Sequence, residues 1–416
     1  MRTPVPDYLD EVLDALRGDS TGAPANYIPE LATADPDKFA LSITTTSGST
    51  YAAGDVDTEF SIQSISKPFA YAAALIDRGF ERVLESVGVE PSGEAFNELS
   101  LEGDTHRPKN PMINAGAIAT HSLLGAAGAG QDDRVERARR LFSRLAGREL
   151  RVDEQVCASE LGTAHRNLAI AHMLHNYGIL EGDVHSIVEG YTRQCSILVN
   201  VRDLSMMAAT LATGGVQPVT GDRVLESDVA RQVMAVMAGA GMYDAAGDWL
   251  TRVGIPAKSG VAGGMVGVLP GQVGIGAFSP RLDAHGNSQR GRRAFERLSQ
   301  DMGMHLFSSD RGRLDSVGSD THNGTTTFRL QGNVQFTAAA ELLDLMAEVE
   351  NGNVVLDVSR VHSFSDVGRR MTLEGLRRLR LDGRGIALRD PSTTLPDPDL
   401  GDGTYPEESA TGGLQV

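Results

Sequence analysis

Phe60-Ser-Ile-Gln-Ser-Ile-Ser-Lys-Pro-Phe69 is the most informative stretch of this 416-residue chain. It places Ser64 three residues before Lys67 at a predicted helix start, so a hydroxyl and an amine share one helix face. A desolvated lysine can lose its proton, whereas an arginine cannot, and a neutral amine can activate a serine without a histidine. Only four of the 38 lysine and arginine residues are lysines. This scarcity favours a chemical role for Lys67 over a surface charge.

The overall composition is typical of a protein that handles small molecules. The net charge of −17 disfavours nucleic acid and anionic membranes as partners, because both select basic patches. No run approaches the roughly 20 apolar residues that span a bilayer. The first residues lack the charged-then-apolar order of a secretion signal, so we expect a cytoplasmic protein. The two cysteines, Cys157 and Cys195, form no disulfide framework and are expected to be reduced and buried.

The first 305 residues are predicted to form one α/β unit. Strand patterns cover 39–46 and 49–53, a mostly helical region covers about 115–240, and strand patterns return at 263–269 and 274–278. Strands at both ends of a helical middle predict one sheet that is closed by the first and last segments and carries a helical insert. A helix from about Ser66 is expected to end at Gly79.

A separate small unit is predicted after a polar, glycine-dotted linker at 306–324. Residues 325–389 show strands at 325–330, 334–336, 354–358 and 385–388, with helices at 338–350 and 367–381. This order predicts a small β/α sandwich. Residues 390–416 contain six acidic and no basic residues, and we expect this tail to be disordered.

Several polar residues in apolar surroundings are candidate binding positions. Asn114 lies among small apolar residues, where a buried amide must be hydrogen-bonded. Glu160 and Asn167 are seven residues apart and share one face if their segment is helical. A structural turn asparagine and a solvated helix face are the alternatives. Tyr191 and Tyr243, taken alone, also fit core aromatic residues.

Two further patterns concern oxyanion and metal binding. Val261-Ala-Gly-Gly264 offers backbone N–H groups without bulky side chains, as an oxyanion hole requires, although glycine turns are common. A metal site is disfavoured, because no carboxylate or cysteine completes a recognised spacing with the histidines of the middle region. These are His165, His172, His175 and His185. No phosphate-binding loop, dinucleotide fingerprint or repeat is visible.

Taken together, six ordered motifs resemble the glutaminase family, which has the serine β-lactamase and transpeptidase-like fold, an antiparallel sheet with a helical domain. The motifs are Ser64-Ile-Ser-Lys67, Asn110-Pro-Met-Ile-Asn-Ala-Gly116, Glu160 through Asn167, Tyr191-Thr-Arg-Gln-Cys-Ser196, Gly241-Met-Tyr-Asp244 and Lys258-Ser-Gly-Val-Ala-Gly-Gly264. The resemblance covers about residues 20–300. It implies an amidohydrolase that converts L-glutamine to L-glutamate and ammonia, without a metal or organic cofactor, as a homodimer or homotetramer.

The resemblance also implies residue roles. Ser64 is the expected nucleophile, Lys67 its proton acceptor, and Tyr243 the proton-shuttling tyrosine with Tyr191 beside it. The backbone N–H groups of Ser64 and Val261 are the expected oxyanion hole. The expected substrate-binding residues are Tyr27, Gln63, Ser64, Asn114, Glu160, Asn167, Tyr191, Tyr243 and Val261. A site that grips both ends of glutamine is expected to reject asparagine, whose amide is one methylene short of the serine.

The C-terminal unit is similar to the STAS domain of anti-sigma factor antagonists and sulfate-transporter tails. The matching residues are Gly332–Glu341, Val354–Val361 and Phe364–Gly368. The resemblance implies a regulatory domain that binds a protein partner. Members regulated by phosphorylation carry a serine or threonine shortly before the glycine, where this chain has Asp366 and Val367, so a phosphoswitch is disfavoured.

Two other functions compete with this interpretation. A β-lactamase or penicillin-binding protein also uses a Ser-x-x-Lys motif, but it would carry an export signal and a Ser-x-Asn box, where this chain has Asn-Ala-Gly around Asn114. A non-enzymatic glutamine sensor would be favoured by a degraded site, yet Ser64, Lys67, Tyr243 and Lys258 are all present.

Overall fold

The computed structural model describes residues 4–93, 98–307 and 314–409. They form two compact units, one of residues 9–297 and one of residues 4–8 with those from 298 onward. The helices are α1 (Val5–Arg17), α2 (Pro29–Ala32), α3 (Ser66–Ser86), α4 (Asn114–Ser122), α5 (Gln131–Ala146), α6 (Glu154–Gly162), α7 (His165–Asn176), α8 (Val184–Cys195), α9 (Val201–Ala212), α10 (Ser227–Ala240), α11 (Ala246–Arg252), α12 (Gln289–Met302), α13 (Phe336–Ala347) and α14 (Asp366–Leu381). Among the described residues, no helix is long and apolar enough to cross a membrane.

The strands are β1 (Ala40–Thr45), β2 (Thr50–Gly54), β3 (Phe60–Ser61), β4 (Leu198–Val199), β5 (Ala257–Ser259), β6 (Gly264–Leu269), β7 (Val273–Phe278), β8 (Leu314–His322), β9 (Thr325–Val334), β10 (Asn353–Phe364), β11 (Ile386–Arg389) and β12 (Glu407–Glu408). In the larger unit, five of them form an antiparallel sheet in the order β2-β1-β7-β6-β5. The first and last strands of this unit therefore share one sheet, and that prediction is confirmed.

Helix α9 packs directly on the centre of this sheet. Every residue of β1, β6 and β7 is buried. A side chain at Gly274 or Gly276 would meet the carbonyl oxygens of Ser205 and Val201 at 2.1 and 2.4 Å, so glycine is required for this close approach. The buried Ser205 hydroxyl lies 2.8 Å from that of Ser42 and 2.8 Å from that of Thr44, so the polar groups of this contact are paired.

The Ser64 segment enters the helical part of the unit through a short strand. β3 pairs with β4, and a single 3₁₀ turn at Gln63–Ile65 then leads into α3 at Ser66, where the sequence predicted a helix start. The helix was predicted to end at Gly79, but at this residue α3 is only interrupted. Gly79 has φ 76° and ψ 163°, and helical structure then resumes and continues to Ser86. The apolar positions beyond the kink, such as the buried Val83, explain the continuation.

The smaller unit contains a second five-stranded sheet in the order β12-β11-β10-β9-β8. β8 and β9 are antiparallel, and the remaining pairs are parallel. The predicted linker at 306–324 is wrong over 314–322, which form β8, while residues 308–313 lie outside the described part. β8 is an edge strand, and its polar sequence is equally typical of a linker. The Asn323-Gly324 turn that follows it has two positive φ angles, and this dipeptide is a hairpin signal. The prediction of two separate strands at 325–330 and 334–336 is also wrong, because β9 runs without a break from Thr325 to Val334.

Residues 390–409 are folded, contrary to the prediction of a disordered tail, and residues 410–416 lie outside the described part. Leu395 and Leu400 are buried, and the Arg369 guanidinium donates to the carbonyl oxygens of Pro396 and Asp397 at 2.6 and 2.7 Å. At the other end of the chain, Asp7 pairs with Arg378 at 2.7 Å, which groups the first residues with this unit and not with the predicted 1–305 domain.

Candidate active site

Ser64 lies on the turn between β3 and α3, and its side chain is hydrogen-bonded with Tyr243. Tyr243 begins a second 3₁₀ turn, Tyr243–Ala245, after α10. Gln63 and Tyr243 have φ angles of 50° and 55°, in the left-handed region that costs a non-glycine residue about 1 to 3 kcal/mol. Such strain persists only where the surrounding structure imposes it, and here it falls on both neighbours of the Ser64 hydroxyl.

Lys67 is buried in the first turn of α3 and is 1% exposed. Its Nζ donates to Oδ1 of Asn114 at 2.7 Å, and Nδ2 of Asn114 donates to Oδ1 of Asn167 at 3.0 Å. Burial lowers the pKa of Lys67 to about 7. A large fraction of its amine is therefore neutral near neutral pH, which is the state that a proton acceptor requires.

Lys258 is a second fully buried amine, with its Nζ 3.9 Å from the centroid of the Tyr243 ring, compared with 5.7 Å for Nζ of Lys67. β5 places it at the edge of the sheet, and its Nζ donates to the Tyr243 hydroxyl at 2.6 Å and to the Ser259 carbonyl oxygen at 2.7 Å. Burial, and then the charge of Lys67, lower the pKa of Lys258 well below its ordinary value. Burial raises the pKa of Tyr243, and the hydrogen bond with Ser64 opposes that shift. A continuous polar chain therefore runs from Ser64 through Tyr243 to Lys258.

Glu160, near the end of α6, forms the acidic part of the site. Its Oε1 accepts hydrogen bonds from the Tyr27 hydroxyl at 2.8 Å and from Nε2 of Gln63 at 2.9 Å. Burial raises the pKa of Glu160, and both hydrogen bonds oppose that shift because they stabilise the carboxylate. Gln63 is the residue before Ser64, so this carboxylate is linked to the turn that carries the hydroxyl.

Tyr191, on α8, is 4% exposed and lies in the same buried cluster as Tyr243. Burial first, and then the neighbouring Cys195, raise the pKa of Tyr191 well above its ordinary value, with smaller contributions from Tyr243 and Glu160. Tyr191 therefore stays a neutral hydrogen-bonding hydroxyl. Burial also raises the pKa of the Cys195 thiol to about 11, which makes it an inert thiol near neutral pH.

A narrow pocket lies at the Ser64 hydroxyl and is lined by Ser64, Tyr243, Ser259, Val261, His285 and Gly286. Ser64 and Val261 both line this pocket, so their backbone N–H groups are candidate donors to an oxyanion.

A buried row of hydrogen-bonded polar side chains joins His121, Gln194 and Ser66 next to the site. Nδ1 of His121 lies 2.9 Å from Oε1 of Gln194, and Nε2 of Gln194 donates to the Ser66 hydroxyl at 3.1 Å. Because the Gln194 amide nitrogen is used as a donor, its oxygen accepts, and His121 therefore carries its proton on Nδ1. Burial lowers the pKa of His121 to about 4, so it remains neutral. This row connects α4, α8 and the start of α3.

The predicted site residues are connected by these contacts. Lys67, Asn114 and Asn167 form one hydrogen-bonded group, and Tyr27, Gln63 and Glu160 form a second. Ser64, Tyr243 and Val261 line the narrow pocket, and Tyr191 lies in the same buried cluster as Tyr243. Sequence reasoning had noticed Lys258 but gave it no place in the site. It missed His121, Gln194, Ser259 and His285, because no local pattern announces their partners, which are distant in the sequence.

The middle-region histidines do not converge. The His172 and His185 rings pack edge to face at 5.8 Å, and Nδ1 of His175 lies 3.1 Å from the Leu180 carbonyl oxygen. Among residues 4–93, 98–307 and 314–409, no group of three or more histidine, cysteine or acidic side chains is placed to hold a metal ion.

A serine hydroxyl hydrogen-bonded with a buried tyrosine, with two buried amines near that tyrosine, is an arrangement suited to a hydrolase that works by acyl transfer. The glutaminase family model matches residues 22–307. A glutaminase from Corynebacterium efficiens is 53% identical over 404 residues, which are 96% of this chain and 96% of that protein. A crystal structure of Mglu in its glutamate form is 47% identical, with a TM-score of 0.73 over 95% of this chain and 100% of that one. The probable glutaminase ybaS is 40% identical, with a TM-score of 0.71, and covers 73% of this chain with 98% of its own. The chain belongs to the glutaminase family.

The lowered pKa of Lys67 can be measured directly, because only four lysines are present. In protein with ¹³C-labelled lysine Cε atoms, we expect the Lys67 signal to titrate with a midpoint near pH 7. Its pKa is below the ordinary lysine value of 10.5, so the unfolded chain binds more protons between about 7 and 10.5 and the stability contributed by this group rises with pH across that interval.

Lys67→Met identifies the signal, and Lys38 is the internal control, because its hydrogen bond and ion pair with Asp55 raise the pKa of Lys38. A Lys67 signal that remains in the ammonium position above about pH 9 contradicts the expectation, since only a lysine with an ordinary pKa behaves in that way.

Proposed function

We propose that this protein hydrolyses L-glutamine to L-glutamate and ammonia through a covalent glutamyl ester on Ser64. The observation that carries the proposal is the buried polar chain from Ser64 through Tyr243 to Lys258, with Lys67 buried beside it. Two buried lysines with lowered pKa values lie next to one tyrosine, and that tyrosine is hydrogen-bonded with the serine. They supply what acyl transfer requires, a proton acceptor that becomes a proton donor.

The proposed acylation begins with the loss of the Ser64 proton to neutral Lys67, directly or through the Tyr243 hydroxyl. Ser64 Oγ attacks the side-chain carbonyl carbon of glutamine, and the carbon–nitrogen bond then breaks. The nitrogen leaves as ammonia after it has received the proton from this amine and phenol system. Water cleaves the ester by the reverse proton path and releases glutamate, so one water is consumed for each ammonia. The Ser64 and Val261 N–H groups are the proposed donors to the oxyanion.

The opposite end of the substrate carries an ammonium and a carboxylate. Glu160 suits the ammonium, because its carboxylate is held by neutral donors, Tyr27 and Gln63, that do not cancel its charge. Asn114, Asn167 and Tyr191 are neutral and can donate to the substrate carboxylate. The glutamate form of the related Mglu supports a site that accepts this amino acid backbone.

The proposal is tested by release of ammonia and glutamate from L-glutamine by the full chain. We expect Ser64→Ala to lower kcat by roughly 10⁴-fold or more, since no other group can form the ester. L-Asparagine should be a poor substrate of the unmodified protein, because its amide is one methylene short of Ser64. Normal turnover by Ser64→Ala would exclude Ser64 as the nucleophile, and inactivity of the unmodified protein on glutamine would contradict the proposal as a whole.

The role of Lys67 is tested by Lys67→Arg, which preserves the charge but removes the proton acceptor. We expect a loss in kcat of about 10²- to 10⁴-fold, the range for general base catalysis. Lys67→Met, which keeps an apolar stem and has no amine, should be similarly inactive. Lys38→Arg, at a surface ion pair with Asp55, is the matched control and should retain activity. Near-normal turnover by a folded Lys67→Arg would exclude Lys67 as the base.

We further propose that the C-terminal unit is a STAS-like domain that binds a protein partner. The alternation of strands and helices after β8 supports this. The Ser365 hydroxyl accepts the Gly368 N–H at 3.1 Å and donates to the Val334 carbonyl oxygen at 3.2 Å. Ser365 is thus engaged as the cap of α14, which disfavours it as a phosphorylation switch. A cytoplasmic homodimer or homotetramer remains part of the proposal.

If the C-terminal unit is regulatory, a chain that ends after residue 307 should be folded and active. All the proposed catalytic and binding residues lie between Tyr27 and Val261, and ybaS covers 73% of this chain with 98% of its own. We expect kcat for glutamine within about threefold of the full chain and a single cooperative unfolding transition. The Asp7–Arg378 pair is lost, which costs little because Asp7 is partly exposed. An insoluble or inactive product would mean that this unit belongs to the catalytic body.

A further inference from the structure

A short loop at Asp283–Asn287 lies against the pocket and has no role in the proposed acyl transfer. The Asp283 carboxylate accepts the N–H groups of His285 and Asn287 at 2.9 and 3.0 Å, and the Asp283 N–H donates to the Asn287 carbonyl oxygen at 2.8 Å. Gly286 has φ 79°, which permits the tight reversal. The loop is therefore fixed by its own hydrogen bonds.

Two contacts fasten this loop to the active-site elements. Ser259 is the residue after the buried Lys258, and its hydroxyl donates to the amide oxygen of Asn287. Nδ1 of His285 lies 3.4 Å from Oδ2 of Asp244, directly after Tyr243. The loop is consequently fixed at two points, and the imidazole itself contacts Asp244 and lines the pocket, although more than half of its side chain is exposed.

The imidazole separates two spaces of very different size. On one side, the pocket at Ser64 leaves about 10 Å³ for the centre of a water-sized group, which is close to the room that one water or one ammonia needs. On the other side, His285 also lines a cavity of about 280 Å³, together with Met242, Asp248, Trp249, Arg252 and Val253 among others. Its carboxylates and arginines are paired with each other, for example Arg252 with Asp248 at 2.9 Å.

We propose that His285 is a specificity-determining residue that restricts the leaving group to ammonia. This inference rests on the proposed function. Ser64 attacks the side-chain carbonyl carbon, and the leaving nitrogen on that carbon lies beside the oxyanion in the narrow pocket. A carbon attached to that nitrogen has no room there and can extend only past His285 into the larger cavity. L-Glutamine with an alkyl group on its side-chain nitrogen is therefore excluded by His285, and removal of the imidazole opens the cavity to the alkyl group.

The reaction that becomes accessible is balanced in the same way as glutamine hydrolysis. The carbon–nitrogen bond of the N-ethyl amide breaks, Ser64 forms the glutamyl ester, and ethylamine leaves with the proton delivered to its nitrogen. Water then cleaves the ester. The products are glutamate and ethylamine, and no oxidant, reductant or further reactant is required.

The test compares L-glutamine with Nγ-ethyl-L-glutamine, with glutamate release as the common readout. In His285→Ala, we expect the ratio of kcat/KM for the ethyl amide to kcat/KM for glutamine to rise by at least about tenfold, the effect of relieving a clash with one or two carbon atoms. His185→Ala, at an exposed histidine on α8, is the matched control and should leave both the ratio and glutamine turnover unchanged.

His285→Phe separates a steric wall from a polar role, because it restores a ring of similar width without a nitrogen. We expect it to return the ratio to the value of the unmodified protein. An unchanged ratio in an active His285→Ala, or loss of both activities in that variant, overturns the inference. Failure of the unmodified protein to release glutamate from glutamine would instead refute the proposed function, so the two failures are distinguishable.

Discussion

The burial of two lysine amines around one tyrosine is the constraint on which this site depends. Taking an ammonium out of water costs several kcal/mol, so a fully buried lysine must be paired or must lose its charge. Lys67 and Lys258 donate to an amide oxygen and to a phenol and a carbonyl oxygen, respectively. These acceptors are neutral and do not stabilise the ammonium as a carboxylate would. Burial of these two side chains, on α3 and β5, therefore produces amines with lowered pKa values.

Packing of the surrounding elements offsets the unfavourable free energy of the strained residues and buried amines in the site. Two non-glycine residues with positive φ and two desolvated amines are each unfavourable, and they persist only because the elements that carry them are firmly packed. Phe60, at the start of the Ser64 segment, stacks on Phe278 of β7 with ring centroids 4.2 Å apart. Every residue of β6 and β7 is buried, so the segment is anchored on a fully buried part of the sheet.

The sequence was sufficient wherever the signal was local or the strand pattern was buried. The helix start at Ser66 and the shared sheet of the first and last strands followed from spacing and apolar runs. The sequence was insufficient where a polar segment could be either a loop or an exposed part of the fold. β8 has the composition of a linker because an edge strand faces water, and residues 390–409 are acidic yet bury Leu395 and Leu400. Likewise, the bond from Lys258 to Tyr243 joins two segments 15 residues apart with no periodic relation.

Gln63 links the Glu160 carboxylate to the turn that carries Ser64. Its amide donates to Glu160 at 2.9 Å, and its strained backbone carries Ser64 as the next residue. A ligand ammonium beside Glu160 would favour the carboxylate, whose pKa burial raises, and so would strengthen the bond from Gln63. Rotation of Gln63 would in turn change the direction of the Ser64 N–H and hydroxyl. In the proposed mechanism, recognition of the amino acid end and orientation of the reacting hydroxyl therefore depend on one residue, and Gln63 positions both groups without transferring a proton.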